Sequence, residues 1–389
     1  MGESVGDIVK LRIDALAAGG DGVGRTADGR VVFVPLSAPG DLVRARVAEL
    51  HPRYARAELE AIVEPSRERV APVCAVFGEC GGCSWQHVDY PAQCEAKRQI
   101  VENALTRVGK LALPGPVTLV RSPQPYGYRA RARVAVEAGR IGYRRRSSNA
   151  LCAVETCPVL APSADAKLRA LAKGRPKRDG EWEIAAGADA ARAHAVGADA
   201  PVFELAVGED RLRVSPGVFF QANPLLHEAL VESVADAAGK GALALELHAG
   251  CGFFTLRLAR AFERVIAVEA DTAAVADLRH NLATARLANV EVVAERVESA
   301  LGGALSGLRP DAVVLDPPRT GLPRGAADRI AALGPRRIAY LSCDPATLAR
   351  DLAALVARGY ALEDAVAFDL FPQTPHVEVL ARLGRSGAS

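Results

Sequence analysis

The sequence predicts an α/β protein. Its larger, C-terminal part is a Rossmann-like, largely parallel sheet, preceded by a small closed β-barrel and a small central α+β domain. Three observations predict this. From about residue 215 apolar strands alternate with amphipathic helices, the βαβ pattern that covers both faces of a parallel sheet with helices. Residues 4–64 hold short alternating strands separated by glycine turns. Between these regions lies a stretch marked by prolines, three cysteines and Trp85. The expected domains are 1–64, 65–210 and 211–389.

In the first region V-K-L-R-I and V-R-A-R-V alternate as half-buried strands do, and about five strands in so short a span suit a small closed barrel. Residues 91–110 read as a helix that stops at Gly109, and 117–160 as arginine-rich hairpin strands. A further helix is expected in A-D-A-K-L-R-A-L-A-K-G, within an Ala-rich, charged stretch (165–200) of weak strands. The C-terminal strands are expected in A-L-A-L-E-L, R-V-I-A-V, V-E-V-V, D-A-V-V-L and R-I-A-Y-L-S. Two last strands, A-V-A-F-D-L-F and H-V-E-V-L-A-R-L, lie so close together that one is expected to pair antiparallel near an edge.

Composition narrows the function. Half of the 389 residues are apolar, so sizeable cores are available, and the net charge is only +2. A nucleic-acid partner would be met by a local basic patch, not by a global field. The N-terminus lacks the charged and apolar regions of a secretory signal, and no run approaches the roughly 18 apolar residues of a membrane span. The expectation is a cytoplasmic protein with no membrane association and no obligate protein partner. Its eight cysteines are then better read as ligands, nucleophiles or buried thiols than as disulfides.

The segment L-E-L-H-A-G-C-G-F-F puts Gly250 and Gly252 just after an apolar strand and before a helix, where backbone can approach a ligand closely. The next strand ends in Glu269, 19 residues after Gly250, a distance suited to gripping ribose hydroxyls. Thr255 stands where a dinucleotide fingerprint needs its third glycine, and no Gly-Lys-Ser is present for a triphosphate. An adenosine ligand without pyrophosphate fits better, and S-adenosylmethionine is the common one. The fourth strand runs into Asp316-Pro317-Pro318-Arg319, where two prolines stop the ladder and leave the Asp316 carboxylate at the ligand crevice.

Strand five ends at Leu341-Ser342-Cys343-Asp344-Pro345, just before a helix whose N-terminus is expected to favour a thiolate at Cys343. A thiolate beside a methyl donor can add to C6 of a pyrimidine and make C5 nucleophilic. A base must then take the C5 proton so that the sulfur can leave. Glu378, in His376-Val377-Glu378, shares this sheet edge and is the candidate base.

Taken together, S-P-G-V-F-F-Q-A-N (215–223), L-E-L-H-A-G-C-G (245–252), D-P-P-R-T-G-L (316–322), S-C-D-P-A-T-L-A-R-D-L (342–352) and F-P-Q-T-P-H-V-E (371–378) resemble the RNA uracil-5-methyltransferase family. The resemblance covers nearly the whole chain. It implies a class I methyltransferase domain, Cys343 as nucleophile and Glu378 as proton acceptor. It further implies that Gln221, Glu269 and Asp316 bind the methyl donor or line its site. His248 and Phe253 also fall in the donor site, where the family often has an aromatic and an asparagine. The N-terminal region resembles the TRAM domain, an OB-like RNA-binding module, which implies an OB-like β-barrel. A TRAM domain with a cysteine cluster is similar to the 23S rRNA branch of the family, which implies that substrate, with uridine 54 of tRNA as the alternative. A different nucleic-acid methyltransferase or a non-catalytic RNA-binding protein fits less well, because Cys343 and Glu378 occur together.

Cys74, Cys80 and Cys83 supply three sulfurs within ten residues, with glycines that let the chain turn tightly. Four thiolates normally hold a [4Fe–4S] cluster, and zinc is the chemical alternative. Cys157 and Cys152 compete for the fourth place, and the resemblance favours Cys157. Finally, Arg129, Arg131, Arg133, Arg140, Arg144, Arg145 and Arg146 fall within 18 residues, with Tyr126, Tyr128 and Tyr143 interleaved. Such a face suits phosphates and unpaired bases of RNA, and Phe219 or Phe220 is placed to hold a flipped uracil.

Overall fold

The computed structural model describes residues 4–386 except 189, 199 and 201. The parts of the expected domains that fall on those three positions, on 1–3 and on 387–389 lie outside the described residues. Strands β1 (Ile8–Leu16), β2 (Gly22–Arg25), β3 (Val31–Val34), β4 (Leu42–Leu50) and β5 (Tyr54–Glu64) close into a barrel in the order β1-β2-β3-β5-β4. The alternation read in the sequence is the reason. Val9, Leu11 and Ile13 of β1 and Val43, Ala45 and Val47 of β4 point inward, while the residues between them face solvent. Gly24 sits where a Cβ would come within 2.3 Å of the Arg12 carbonyl oxygen, so β1 and β2 approach only across a glycine.

The middle of the chain opens with the helix Tyr90–Asn103, capped by Asp89. It runs into a π-helical turn, Ala104–Val108, and ends at Gly109 as expected. Next come β6 (Thr118–Val120), β7 (Arg131–Glu137), β8 (Arg140–Arg144), β9 (Leu151–Ala153), β10 (Gly180–Ala186) and β11 (Ala191–Ala195). β7 to β11 form one antiparallel sheet in the order β11-β10-β7-β8-β9, and the helix Pro162–Gly174 covers it. β6 departs from the expected hairpin. Only three residues long and followed by Pro123 and Pro125, it joins the far edge of the C-terminal sheet instead. A separate hairpin, β12 (Phe203–Val207) and β13 (Asp210–Val214), leads into the last region.

There β14 (Gly241–Leu247), β15 (Phe262–Val268), β16 (Val290–Val293), β17 (Ala312–Leu315), β18 (Arg337–Ser342), β19 (Tyr360–Phe368) and β20 (Glu378–Arg385) complete an eight-stranded sheet in the order β16-β15-β14-β17-β18-β20-β19-β6. β14 to β18 are parallel, and β20 runs antiparallel between β18 and β19. Fully buried runs such as Ala312–Leu315 separate two apolar cores, one on each face. The chain moves outward from β14 to β16, then crosses back to β17. That reversal opens a crevice at the carboxyl ends of β14 and β17. Among the described residues no helix is long and apolar enough to cross a membrane.

Candidate active site

The crevice holds a cavity of about 510 Å³. Its wall includes Gln221, His248, Gly250, Phe253, Glu269, Asp316, Cys343 and Glu378, so residues read from five separate motifs meet at one place. Gly252 stands off this wall. Its φ is +97° and a Cβ there would come within 2.7 Å of Leu278, so it serves the turn and the packing behind the loop. Gly250, at φ +56°, faces open space. Its N–H donates to Glu269 Oε2 at 2.9 Å, and the other carboxylate oxygen accepts from the Ala270 and Asp271 N–H groups. Glu269 is thereby fixed across the top of the loop before any ligand arrives. His248 also has a left-handed backbone, at φ +65°; its Nε2 is buried without a partner, and burial lowers its pKa, which keeps the ring neutral.

Cys343 follows the last residue of β18. The expectation that the next helix favours its thiolate is corrected by the structure. Asp344 already caps that helix, accepting from the Ala346 and Thr347 N–H groups at 3.0 and 2.9 Å, so its own carboxylate occupies the positive end. Burial, then the carboxyls of Glu378 and Asp316, push the Cys343 thiol up to about 11, while Arg319 opposes them. Glu378, the first residue of β20, is 3% exposed. Burial and the neighbouring Asp316 hold its carboxyl far above the usual carboxylate range, and burial raises Asp316 too. In the free site these groups therefore lean towards their neutral forms.

Two residues at this site were not singled out for a role from the sequence. Arg319 lines this cavity and the two beside it, and is the cation facing Cys343 and Glu378. Glu246 lies in β14 with both carboxyl oxygens buried and unpartnered, and burial raises its pKa to about 8. An acidic residue inside the apolar run A-L-A-L-E-L was the signal for it. Of the two phenylalanines read as base holders, Phe220 is 5% exposed and packs edge-on against His227 and Phe253, so it belongs to the core. Phe219 is 70% exposed at the mouth of the cavity.

A second cavity, about 470 Å³, adjoins the first and shares Phe219, Phe220 and Arg319 with it. Cys74, Cys80, Cys83 and Cys157 all line it, whereas Cys152 is buried in β9 off its wall. Burial pushes Cys80 up to about 12 and Cys83 up to about 11, and it raises Cys157 as well. Among the described residues no three His, Cys, Asp or Glu side chains are gathered tightly enough to hold a metal ion. The four sulfurs share a wall without converging on a point.

The arginine-rich hairpin is less free than its sequence implied. Arg131 pairs with Glu183 at 2.6 Å, Arg145 with Glu79 at 2.7 Å, Arg146 with Asp21 at 3.2 Å, and Arg144 with Glu137. Arg129 instead lies over the Phe371 ring, 5.9 Å from its centroid, on the wall of the second cavity.

Comparison with known proteins agrees with this geometry. A family model described as tRNA (uracil-5-)-methyltransferase matches residues 201–385, and a TRAM domain model matches residues 2–59. An RNA methyltransferase of Gloeobacter violaceus is 33% identical, over 98% of this chain and 97% of its own. The 23S rRNA (uracil(1939)-C(5))-methyltransferase of Halomonas elongata is also 33% identical, over 96% of this chain and 89% of its own. The solved tRNA (uracil-54, C5)-methyltransferase of Pyrococcus abyssi, in complex with S-adenosyl-L-homocysteine, has the same fold. It superposes with a TM-score of 0.77 at 24% identity, over 96% of this chain and all of that one.

Proposed function

Because the chain belongs to the RNA uracil-5-methyltransferase family and is an S-adenosylmethionine-dependent enzyme, we propose that it methylates C5 of a uridine in 23S rRNA through a covalent adduct on Cys343. One observation carries the chemistry: Cys343 and Glu378 share a single cavity wall with Gly250, Glu269 and Asp316. A nucleophile, a base and a donor-binding edge within one space are what C5 methylation requires.

The bound donor supplies an electrophilic methyl group on a cationic sulfur. Gln221, His248, Gly250, Phe253, Glu269 and Asp316 would hold it. Positive charge in that cavity favours the ionised forms of Asp316, Glu378 and Cys343, which burial otherwise disfavours, and Arg319 acts in the same sense on Glu378 and Cys343. The order of steps follows. The Cys343 sulfur bonds to C6 of the uracil, and electron density moves to C5, which takes the methyl group. Glu378 then accepts the C5 proton, the C5–C6 double bond re-forms, and the sulfur leaves. Phe219, exposed between the two cavities, suits a base turned out of its stack.

The second cavity supports a [4Fe–4S] cluster on Cys74, Cys80, Cys83 and Cys157. Four sulfur donors line one space and would hold such a cluster, with zinc as the chemical alternative. The barrel, the cysteine-bearing middle and the parallel sheet are read as three domains, 1–64, 65–210 and 211–389, with β6 and the helix Tyr90–Asn103 of the middle packed onto the third, of a cytoplasmic protein whose partner is RNA. The test is transfer of labelled methyl from S-adenosylmethionine to total RNA, followed by mapping. A methylated uridine in 23S rRNA is expected. Label at uridine 54 of tRNA supports the alternative substrate, and label on cytosine or adenine rejects the mechanism.

A further inference from the structure

The chain that carries Glu378 to its place, residues 369–377, has no regular structure. Its shape is fixed instead by residues about 280 positions earlier. Lys97 Nζ lies 2.5 Å from Asp369 Oδ1, with both side chains 0% exposed, and the same ammonium donates to the Phe371 carbonyl at 2.9 Å. Gln93 and Gln373 interlock. The Gln373 N–H donates to Gln93 Oε1 at 2.9 Å, and Gln93 Nε2 donates to Gln373 Oε1 at 2.9 Å. The Gln373 carbonyl accepts from the N–H groups of Ser84 and Trp85, each at 3.0 Å.

Gln373 has φ +68°, the left-handed region that a residue with a Cβ adopts only when its surroundings over-determine it. Here its N–H, carbonyl and side-chain amide are all engaged from outside the loop. A buried ion pair is a costly way to stabilise a fold, since apolar residues of similar volume often do as well. Neither Lys97 nor Gln93 lines any of the three cavities that share Arg319. What the pair and the interlocked amides define is the path of the loop, which leads within five residues from Gln373 to Glu378.

We propose that Lys97 and Gln93 are positioning residues for Glu378: by locking residues 369–373 in one strained conformation they set the carboxylate where it can take the C5 proton. This rests on the reading of Glu378 as the proton acceptor. The step concerned is the last one. The C5 proton passes to the carboxylate, the electrons of that bond re-form the C5–C6 double bond, and the carbon–sulfur bond breaks with its pair returning to Cys343. Methyl transfer, which precedes this, does not need the Glu378 oxygen in place.

The experiment separates the two steps in the full-length enzyme. RNA carrying tritium at C5 of uridine is methylated from carbon-14-labelled donor. Carbon-14 bound to RNA reports transfer, and tritium released to water reports proton removal. The variants are Gln93→Leu and the double variant Lys97→Met/Asp369→Leu, which leaves no uncompensated buried charge and so remains foldable if the single change is not. Both should transfer methyl at close to the parent rate in the first turnover, yet release tritium about 10- to 100-fold more slowly, the cost of misplacing a catalytic group by a fraction of an ångström to an ångström. They should also accumulate an adduct that survives denaturing electrophoresis, as Glu378→Gln run beside them should. If Glu378→Gln accumulates adduct while the network variants release tritium at the parent rate, or lose both labels in equal proportion, the positioning role is wrong and the reading of Glu378 stands. If Glu378→Gln accumulates none, that reading falls and the positioning role falls with it.

Discussion

Burial and two carboxyls, opposed by Arg319, set the acidity of Cys343 in the free site, and each influence can be removed singly. The thiol is raised from an ordinary 9.0 to about 11, so well below pH 9 it holds about a hundredfold less thiolate than an unperturbed cysteine. Burial is the largest cause and Glu378 the next. Where the series is alkaline enough to ionise Glu378, Glu378→Gln should therefore recover part of the deficit, a gain short of about a hundredfold, and at lower pH, where burial keeps Glu378 neutral, it should change the thiolate little. Arg319→Gln should act in the opposite sense. The assay is alkylation by iodoacetamide across a pH series, with the Cys343 peptide quantified by mass spectrometry, because the half-buried Cys74, Cys80, Cys83 and Cys157 also react. The parent rate should climb about tenfold per pH unit with no plateau below about pH 10. A plateau by about pH 8, or slower alkylation of Glu378→Gln, would refute the balance of burial and charge drawn here.

Cys343→Ala should abolish methyl transfer while equilibrium dialysis shows donor binding close to that of the parent, because the rest of the donor-cavity wall is unchanged. Protein purified without oxygen should carry about four irons, reduced by Cys157→Ser and unaffected by Cys152→Ser; stoichiometric zinc without iron rejects the cluster. Gly142→Ala would place a Cβ 2.0 Å from the Cys152 carbonyl oxygen, so the urea midpoint should fall by the equivalent of about 1–3 kcal/mol. An unchanged midpoint would mean that β8 and β9 do not approach as described.

The strands and helices that obey a simple periodicity were legible in the sequence. Alternation fixes which residues of β1 and β4 face the barrel interior, and the apolar runs of β14, β17 and β18 mark strands buried on both faces. The site was legible because its residues sit at strand ends, which the topology brings to one edge whatever the loops do. What was not legible depends on partners remote in sequence. Nothing near Arg145 or Arg146 announces that Glu79 and Asp21 will meet them. The acidity of Cys343 was misjudged because a helix N-terminus was counted without the carboxylate of Asp344 that already fills it. Phe219 and Phe220 are adjacent and chemically alike, and only packing against His227 and Phe253 sends one inward. β6 escaped because three residues carry no period, and its pairing is decided by β19, more than two hundred residues downstream.

That short strand has a consequence for how the chain survives its own synthesis. A growing parallel sheet offers unpaired backbone at its rim, and such a rim recruits other chains. β19 would present nine residues of it, from Tyr360 to Phe368, as the sheet assembles. β6 is translated long before β19 exists, and it is held nearby by the helix Tyr90–Asn103, which touches both strands. When β19 forms, a partner from the same molecule is already waiting along Val366–Phe368. The opposite rim, β16, is only four residues long and turns Glu291 to solvent. One edge is thus partnered from within along three of its nine residues and the other is kept short and charged, which leaves less of this sheet open to a neighbouring chain on a crowded polysome.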